Sequence, residues 1–292
     1  MVLIKLQEKG YVLIRKVMAI ISRIYKKDYE QVVVAGQALI SQFKIPSLYS
    51  DYSRYLAQLN IKQEVFGYEF QSPITIAAFE GHMDSIQFWL NLGCGGGCLK
   101  TIKLEKEAGN QRPRIQRLKI NGKDHLINAL GLPGGGIHKL IESLHQSDLV
   151  KTKRPIGFSV GGHSLQDYKD VIDVIVDQQN QLFKQSYIEL NISCPNTTTG
   201  KSLHDNLAEL EQCLNYIQAK QDGVIVIKVS PDASDKNICD IAALAKSFSQ
   251  VTINAGNTQF KSEQEVGLTS GAMSIGGGGL SGPVLFERTL AM

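Results

Sequence analysis

From about residue 67 onward, short apolar runs rich in β-branched residues alternate with longer segments of helical periodicity. That rhythm restricts the chain to folds built from repeated βα units around a parallel sheet. The runs predict strands near 74–79 (ITIAAF), 97–103, 155–160 (PIGFSV), 187–193 (YIELNIS), 223–229 (GVIVIKV) and 250–254 (QVTIN). Helices are predicted near 82–92, 136–147, 164–182, 206–221 and 234–248, with another beginning at about 283. A polar stretch at 114–131 breaks the alternation. With Asn121-Gly122 at its centre as a hairpin turn, it reads as a small β-excursion above the strand ends. At about 150 residues per domain the length allows two cores, although an α/β barrel of 292 residues commonly folds as one.

The N-terminal stretch is different in kind. Val17, Ile20, Ile21 and Ile24 have helical spacing and lie among Lys5, Lys9, Arg15, Lys16, Arg23, Lys26 and Lys27, which makes a basic amphipathic helix. Such a helix either packs on the main domain or lies on an anionic membrane surface. It has no small-residue cleavage site behind a continuous apolar stretch, so a signal peptide is not expected. No apolar run approaches the roughly 18 residues of a spanning helix. The chain is therefore divided into an N-terminal helical extension at 1–60 and a β/α domain at 61–292.

Composition excludes several partners. Lys and Arg number 31 against 28 Asp and Glu, and the resulting +3 is too small and dispersed to argue for nucleic acid. Five scattered cysteines suit reduced thiols better than a disulfide framework, so a cytoplasmic setting is expected, with peripheral membrane attachment as the alternative. Cys94 and Cys98 lack a second pair at finger spacing, and no two histidines have metal-ligand spacing, so no metal is expected. GKS at 200–202 matches the end of a phosphate-loop pattern, but that pattern requires glycine where Pro195 stands. The run from Gly276 to Gly279 is too glycine-rich to specify a dinucleotide loop.

In a barrel or an open parallel sheet, ligands bind at the C-terminal ends of the strands. Polar residues gather there. Lys100 ends the second predicted strand, Asn191 and Cys194 the fourth, Lys228 the fifth, and Asn254, Asn257 and Thr258 the sixth. A buried amide or ammonium costs several kcal/mol unless paired, so a ligand is the natural partner for this set.

These segments carry a family resemblance. KTIKLEKEAGNQRPR (100–114), INALGLPGGG (127–136), ELNISCPNTTTG (189–200), IKVSPD (227–232), NAGNT (254–258) and GGLSGP (278–283) resemble the successive motifs of dihydroorotate dehydrogenases, in order and at similar spacing. The resemblance covers roughly residues 66 to 292. It implies a TIM-barrel-type α/β fold that uses FMN to oxidise dihydroorotate to orotate in pyrimidine synthesis. It makes Cys194 the base that takes the C–H proton, with a buried inert thiol as the alternative. It places Lys228 beside the flavin pyrimidine edge, where a cation stabilises reduced anionic flavin, with a solvated surface lysine as the alternative. Lys100 resembles the lysine that touches both flavin and substrate. Thr101, Ser159, Ala77, Ala78 and Gly282, together with Asn191 and Asn257, match flavin contacts. Asn128, Asn191, Asn196, Asn257 and Thr258 match positions that hydrogen-bond orotate, and the backbone of Leu130, Gly131 and Leu132 lines the same site. Amides suit the imide edges of a pyrimidine because each offers both a donor and an acceptor. Any one of these asparagines alone equally suits a turn or a cap.

The chain also departs from the family. Phe79 stands where glycine usually follows the AA pair, His82 stands where the second class has a substrate lysine, and Gly134 replaces an asparagine. The cysteine loop belongs to the first class, while the N-terminal extension is typical of the quinone-using, membrane-associated second class. Quinone is therefore the expected acceptor, without being fixed by the residues. After GGLSG the family continues through two more βα units whose loops hold the FMN phosphate, and here no strand seven or eight is found. The expectation is a barrel truncated after about six βα units that binds FMN weakly or not at all. The alternatives are a non-catalytic remnant of the enzyme and a related flavin barrel acting on another dihydropyrimidine.

Overall fold

The inner strands are nearly continuous apolar runs, which is what a strand covered on both faces requires. In the structure, a computed structural model that describes residues 28–42, 55, 58–192 and 206–292, they form one curled parallel sheet. Its strands are β3 (Thr75–Ile76), β4 (Gly96–Ile102), β7 (Ile156–Val160), β8 (Ser186–Asn191), β9 (Ile225–Val229) and β10 (Val251–Ala255). They lie side by side in the order β10-β9-β8-β7-β4-β3. The chain thus winds steadily around an axis, each strand beside its predecessor in the barrel sequence, as half of an α/β barrel. β3 and β10 are its outer strands, and among the described residues no strand joins them.

Helices follow the strands: α2 (Met83–Asn91), α3 (Ile137–His145), α4 (Leu165–Leu182), α5 (Leu207–Gln218), α6 (Asp235–Lys246) and the short α7 (Phe286–Ala291). Their starts are written in the sequence. Ser164 and Asp167 form a reciprocal capping box at α4, and Asn206 and Ser234 cap α5 and α6. Strand residues that face the helices align in apolar rows. Leu99 pairs with Phe158, Phe158 with Ile188 and Ile188 with Ile225, all fully buried with Ile172, Leu214 and Ile241 of the helices.

Alternate residues face the other way; a small apolar cluster of Cys98, Tyr187 and Val226 lies low on that face, and the residues nearest the C-terminal edge are polar, because there the face forms the floor of a site. Asn191 lies opposite Lys228, and Lys228 opposite Asn254, in one row at the C-terminal edge. Lower down, a Cβ on Gly157 would strike the Tyr187 ring and stand 2.8 Å from Cys98 Sγ, so only glycine leaves that ring its place.

A second sheet of four antiparallel strands, in the order β11-β12-β6-β5, stands above the strand ends. It consists of β5 (Ile115–Ile120), β6 (Lys123–Asn128), β11 (Gln259–Ser262) and β12 (Gly277–Ser281). Asn121 and Gly122, with φ of 51° and 75°, turn β5 into β6 as a two-residue hairpin. The β-excursion is thus as expected, but β11 and β12 were not. The glycine run reads as loop by propensity, yet a Cβ at Gly278 would lie 2.5 Å from the Asn128 carbonyl oxygen, and one at Gly279 would fall on Thr258 Oγ1. Close backbone approach, not local preference, makes β12 a strand. A hairpin of β1 (Gln63–Val65) and β2 (Tyr68–Phe70) was also not expected; Tyr68 ties it to the start of β8 by donating to the Ser186 carbonyl at 2.7 Å.

The first predicted strand shrinks to two residues. Phe79 N–H donates to the Ala77 carbonyl at 2.7 Å, which ends the extended run in a turn. Helix α1 (Glu30–Gln42) precedes the first strand and rests on the site. The amphipathic stretch at 17–24 falls outside the described residues. Among the described residues no helix is long and apolar enough to cross a membrane.

Candidate active site

A cavity of about 1210 Å³ opens at the C-terminal ends of the strands. β4 brings Lys100 and Thr101 to it, β8 Asn191, β9 Lys228, the turn after β10 Asn257 and Thr258, and β6 Asn128. Ala77, Ala78 and the segment Leu130–Leu132 complete the wall, and Glu30, Val33, Val34, Gln37 and Ile40 of α1 form one side. Twelve residues expected from sequence to touch substrate or cofactor therefore share one cavity. Ser159 lies just behind the lining, with its hydroxyl 3.1 Å from Thr101 Oγ1. Gly282 is not among the lining residues; with φ of 130° it packs on the His125 ring, where a Cβ would stand 2.6 Å from Cδ2. Cys194 and Asn196 lie outside the described residues.

The polar groups at the centre are connected. Asn191 Nδ2 donates to Thr101 Oγ1 at 2.9 Å, and Tyr168 donates to the Asn191 carbonyl at 2.9 Å. Asn191 Oδ1, by contrast, is buried with no hydrogen-bond partner among the described residues. An unpaired buried acceptor costs about 1–3 kcal/mol, and because Asn191 lines the cavity, a bound ligand can supply the missing donor. Lys228 is only 7% exposed and stands next to it on β9.

Below this row lies a polar group that the sequence reading did not single out. Glu189 is 2% exposed and accepts from Asn254 Nδ2 at 3.0 Å. Burial, and then the Glu189 charge, push the Cys98 thiol well above its ordinary range, so Cys98 is an unreactive proton-bearing filler. Tyr187 is pushed up in the same way, chiefly by burial. Period-two alternation back from Asn191 in ELN was the signal that puts Glu189 on the inner face.

At the rim, burial first and the Arg114 charge second lower the Lys100 pKa, while Glu80 and Glu30 raise it. Glu80 is itself 2% exposed; its carboxylate accepts from the His82 N–H at 2.8 Å and from Gln37 of α1 at 3.2 Å. Phe79, the departure from the family pattern, is 61% exposed and lies on the cavity wall.

The donor set fits a flat, polar-edged heterocycle such as the flavin of FMN. Two ammonium groups, a hydroxyl and an amide with an open acceptor line the cavity, and Ala77 and Ala78 add small side chains to its wall. Among the described residues no cluster of three His, Cys, Asp or Glu could hold a metal.

Comparison with known proteins bears on the family and the fold. A family model for dihydroorotate dehydrogenase matches residues 60–292. The chain is 28% identical over 238 residues to the dihydroorotate dehydrogenase (quinone) of Corynebacterium efficiens, covering 79% of this chain and 60% of that protein. It is 31% identical over 229 residues to the enzyme of the same name from Mycolicibacterium gilvum, covering 77% of this chain and 62% of the relative. The match thus spans about three fifths of these relatives' length. Its fold is similar to that of the ligand-free DHODH of Eimeria tenella, with a TM-score of 0.64 at 20% identity, covering 85% of this chain and 77% of that one.

Proposed function

The chain belongs to the dihydroorotate dehydrogenase family, and on that premise we propose that it oxidises dihydroorotate to orotate with FMN, passing the electrons to a quinone. The observation that carries this reading is the convergence of Lys100, Thr101, Asn128, Asn191, Lys228, Asn257 and Thr258 on one cavity at the strand ends. Bound FMN supplies the hydride acceptor.

The chain's own residues supply the rest. Asn128, Asn191, Asn196 and Asn257, with Thr258 and the backbone of Leu130, Gly131 and Leu132, bind the pyrimidine by its imide edges and fix its orientation. Lys100 sets a positive charge where the substrate carboxylate and the flavin meet. Cys194 takes the C–H proton. Lys228 holds its ammonium over the buried end of the site, where a developing negative charge is stabilised most in a water-excluded setting. Ala77, Ala78, Thr101, Ser159 and Gly282 are assigned to the cofactor, together with Lys100, Asn191, Lys228 and Asn257, which also face it.

The test is anaerobic. Dihydroorotate added to the protein with saturating FMN should bleach the visible flavin absorbance, and Cys194→Ser should slow that bleaching strongly. No bleaching beyond that of FMN alone would reject the activity, and unchanged bleaching in the variant would reject the base. A non-catalytic role is favoured by one observation: β3 and β10 remain unpaired edges of the half-barrel among the described residues. Tight, stoichiometric FMN in the purified protein speaks against that second reading.

The division into an N-terminal extension at 1–60 and a barrel domain at 61–292 belongs to the same proposal, with residues 1–28 docking on a membrane surface from the cytoplasmic side. Liposome flotation that is lost on deleting residues 1–28 supports docking, and absence of flotation removes it.

A further inference from the structure

The segment Leu130–Leu132 is an unusual wall. Gly131 and Leu132 have φ of 71° and 53°, a left-handed conformation that a leucine adopts only when its surroundings hold it there. What holds it is the loop before β5. Asn110 N–H donates to the Leu130 carbonyl at 3.0 Å and its Nδ2 to the Ala129 carbonyl at 2.9 Å. The fit is tight: a Cβ on Gly131 would stand 2.8 Å from Asn110 N, and one on Gly109 would fall on the Leu130 carbonyl oxygen.

That loop is in turn gathered by one side chain. Arg114 Nη1 donates to the carbonyls of Ala108 and Asn110, each at 2.9 Å, and the Arg114 carbonyl accepts from the Ala129 N–H at 2.8 Å. The other edge of the same guanidinium grips Glu30 of α1, with Nε to Oε2 at 2.7 Å and Nη2 to Oε1 at 2.8 Å. Arg112 adds a bond to Glu30 at 3.1 Å, and Tyr29 N–H donates to the Ile115 carbonyl at 2.9 Å. A planar guanidinium with donors on two edges can satisfy a carboxylate and two carbonyls at once, and a lysine cannot.

We propose that Arg114 is a positioning residue that transmits the docking of α1 to the shape of the Leu130–Leu132 wall, so that the helix and the substrate position are energetically coupled. The proposal rests on the proposed function only in calling that wall a substrate contact. By linkage, a molecule that seats against α1 and a pyrimidine that seats against the wall then alter each other's affinity by the same factor.

Backbone hydrogen exchange on the full chain without ligand tests the coupling. Glu30→Gln and Arg114→Lys should each quicken exchange of the Asn110 and Ala129 amides, the two N–H groups that bond this loop to the wall, by about tenfold, the scale expected for losing one charge-assisted fork. Combining the two should add little, because both cut the same link. Exchange in β8 and β9 should keep its rate, which a general loss of stability would not allow. Faster exchange confined to α1, with the Asn110 and Ala129 amides unchanged, overturns the proposal, and so does equal acceleration throughout the molecule. Orotate affinity should fall in both variants by a like factor, and equal affinity in variant and unaltered protein also overturns it. An unaltered protein that binds no orotate refutes the proposed function instead and leaves exchange to decide the coupling.

Discussion

Replacing Asn191 by leucine separates a residue kept for ligand binding from one kept for folding. The substitution preserves branching and approximate volume while removing two polar groups. One is the 2.9 Å bond from Nδ2 to Thr101 Oγ1, and the other is Oδ1, buried without a partner among the described residues. A hydrogen bond of the first kind is worth about 1 kcal/mol net, and an unsatisfied buried oxygen costs about 1–3 kcal/mol. Thr101 Oγ1 keeps its contact with Ser159 Oγ at 3.1 Å, so the variant creates no new orphan there. The balance predicts a ligand-free protein as stable as the parent or more stable by up to about 2 kcal/mol. FMN affinity should nevertheless fall by about tenfold or more, since leucine offers neither donor nor acceptor to the ring edge. The urea midpoint with an unchanged slope measures the first quantity, and quenching of FMN fluorescence measures the second. A loss of more than about 2 kcal/mol with FMN binding intact would show that Asn191 serves the fold, and the reading of the site would fail.

Phe158 tests the other face of the same sheet. It is fully buried with its ring 5.8 Å from that of Phe183, and Phe158→Ala should cost about 3–5 kcal/mol in the urea midpoint; a cost under about 1 kcal/mol would deny it a place in the core. The docking of α1 should depend on pH, because the hydrogen bond and charge of Arg114 hold the Glu30 carboxyl below the usual carboxylate range. A depressed folded-state pKa contributes stability that is present above the ordinary glutamate value and is lost as pH falls through the lowered one. Fluorescence of the single tryptophan, Trp89 on the cavity wall, should therefore change in that acidic window and not in Glu30→Gln; an identical acid transition in the variant assigns the change to other groups.

The barrel half of the fold was legible because its signals are local. The apolar rows of β7 to β9 and the caps of α4 to α6 need only short windows of sequence, and the observed bounds fall within a few residues of the expected ones. β11 and β12 were not legible, because Gly277, Gly278 and Gly279 extend only through the close approach of Lys261, Asn128 and Thr258 from distant parts of the chain. The cavity residues were readable as strand ends and as family motifs. Glu30, Gln37, Glu80 and Arg114 were not read as part of the site, since each reaches it through a partner distant in sequence. The Gln37–Glu80 and Glu30–Arg114 bonds span 43 and 84 residues, and no periodicity reports such a pair.

Mutual dependence of FMN and orotate binding tests most directly the claim that these side chains build a single site for two stacked heterocycles. Equilibrium dialysis of orotate should give a tighter dissociation constant with FMN present, and orotate should tighten FMN by the same factor. Affinities that do not depend on each other, with both molecules bound, would contradict the account and assign the two to separate places.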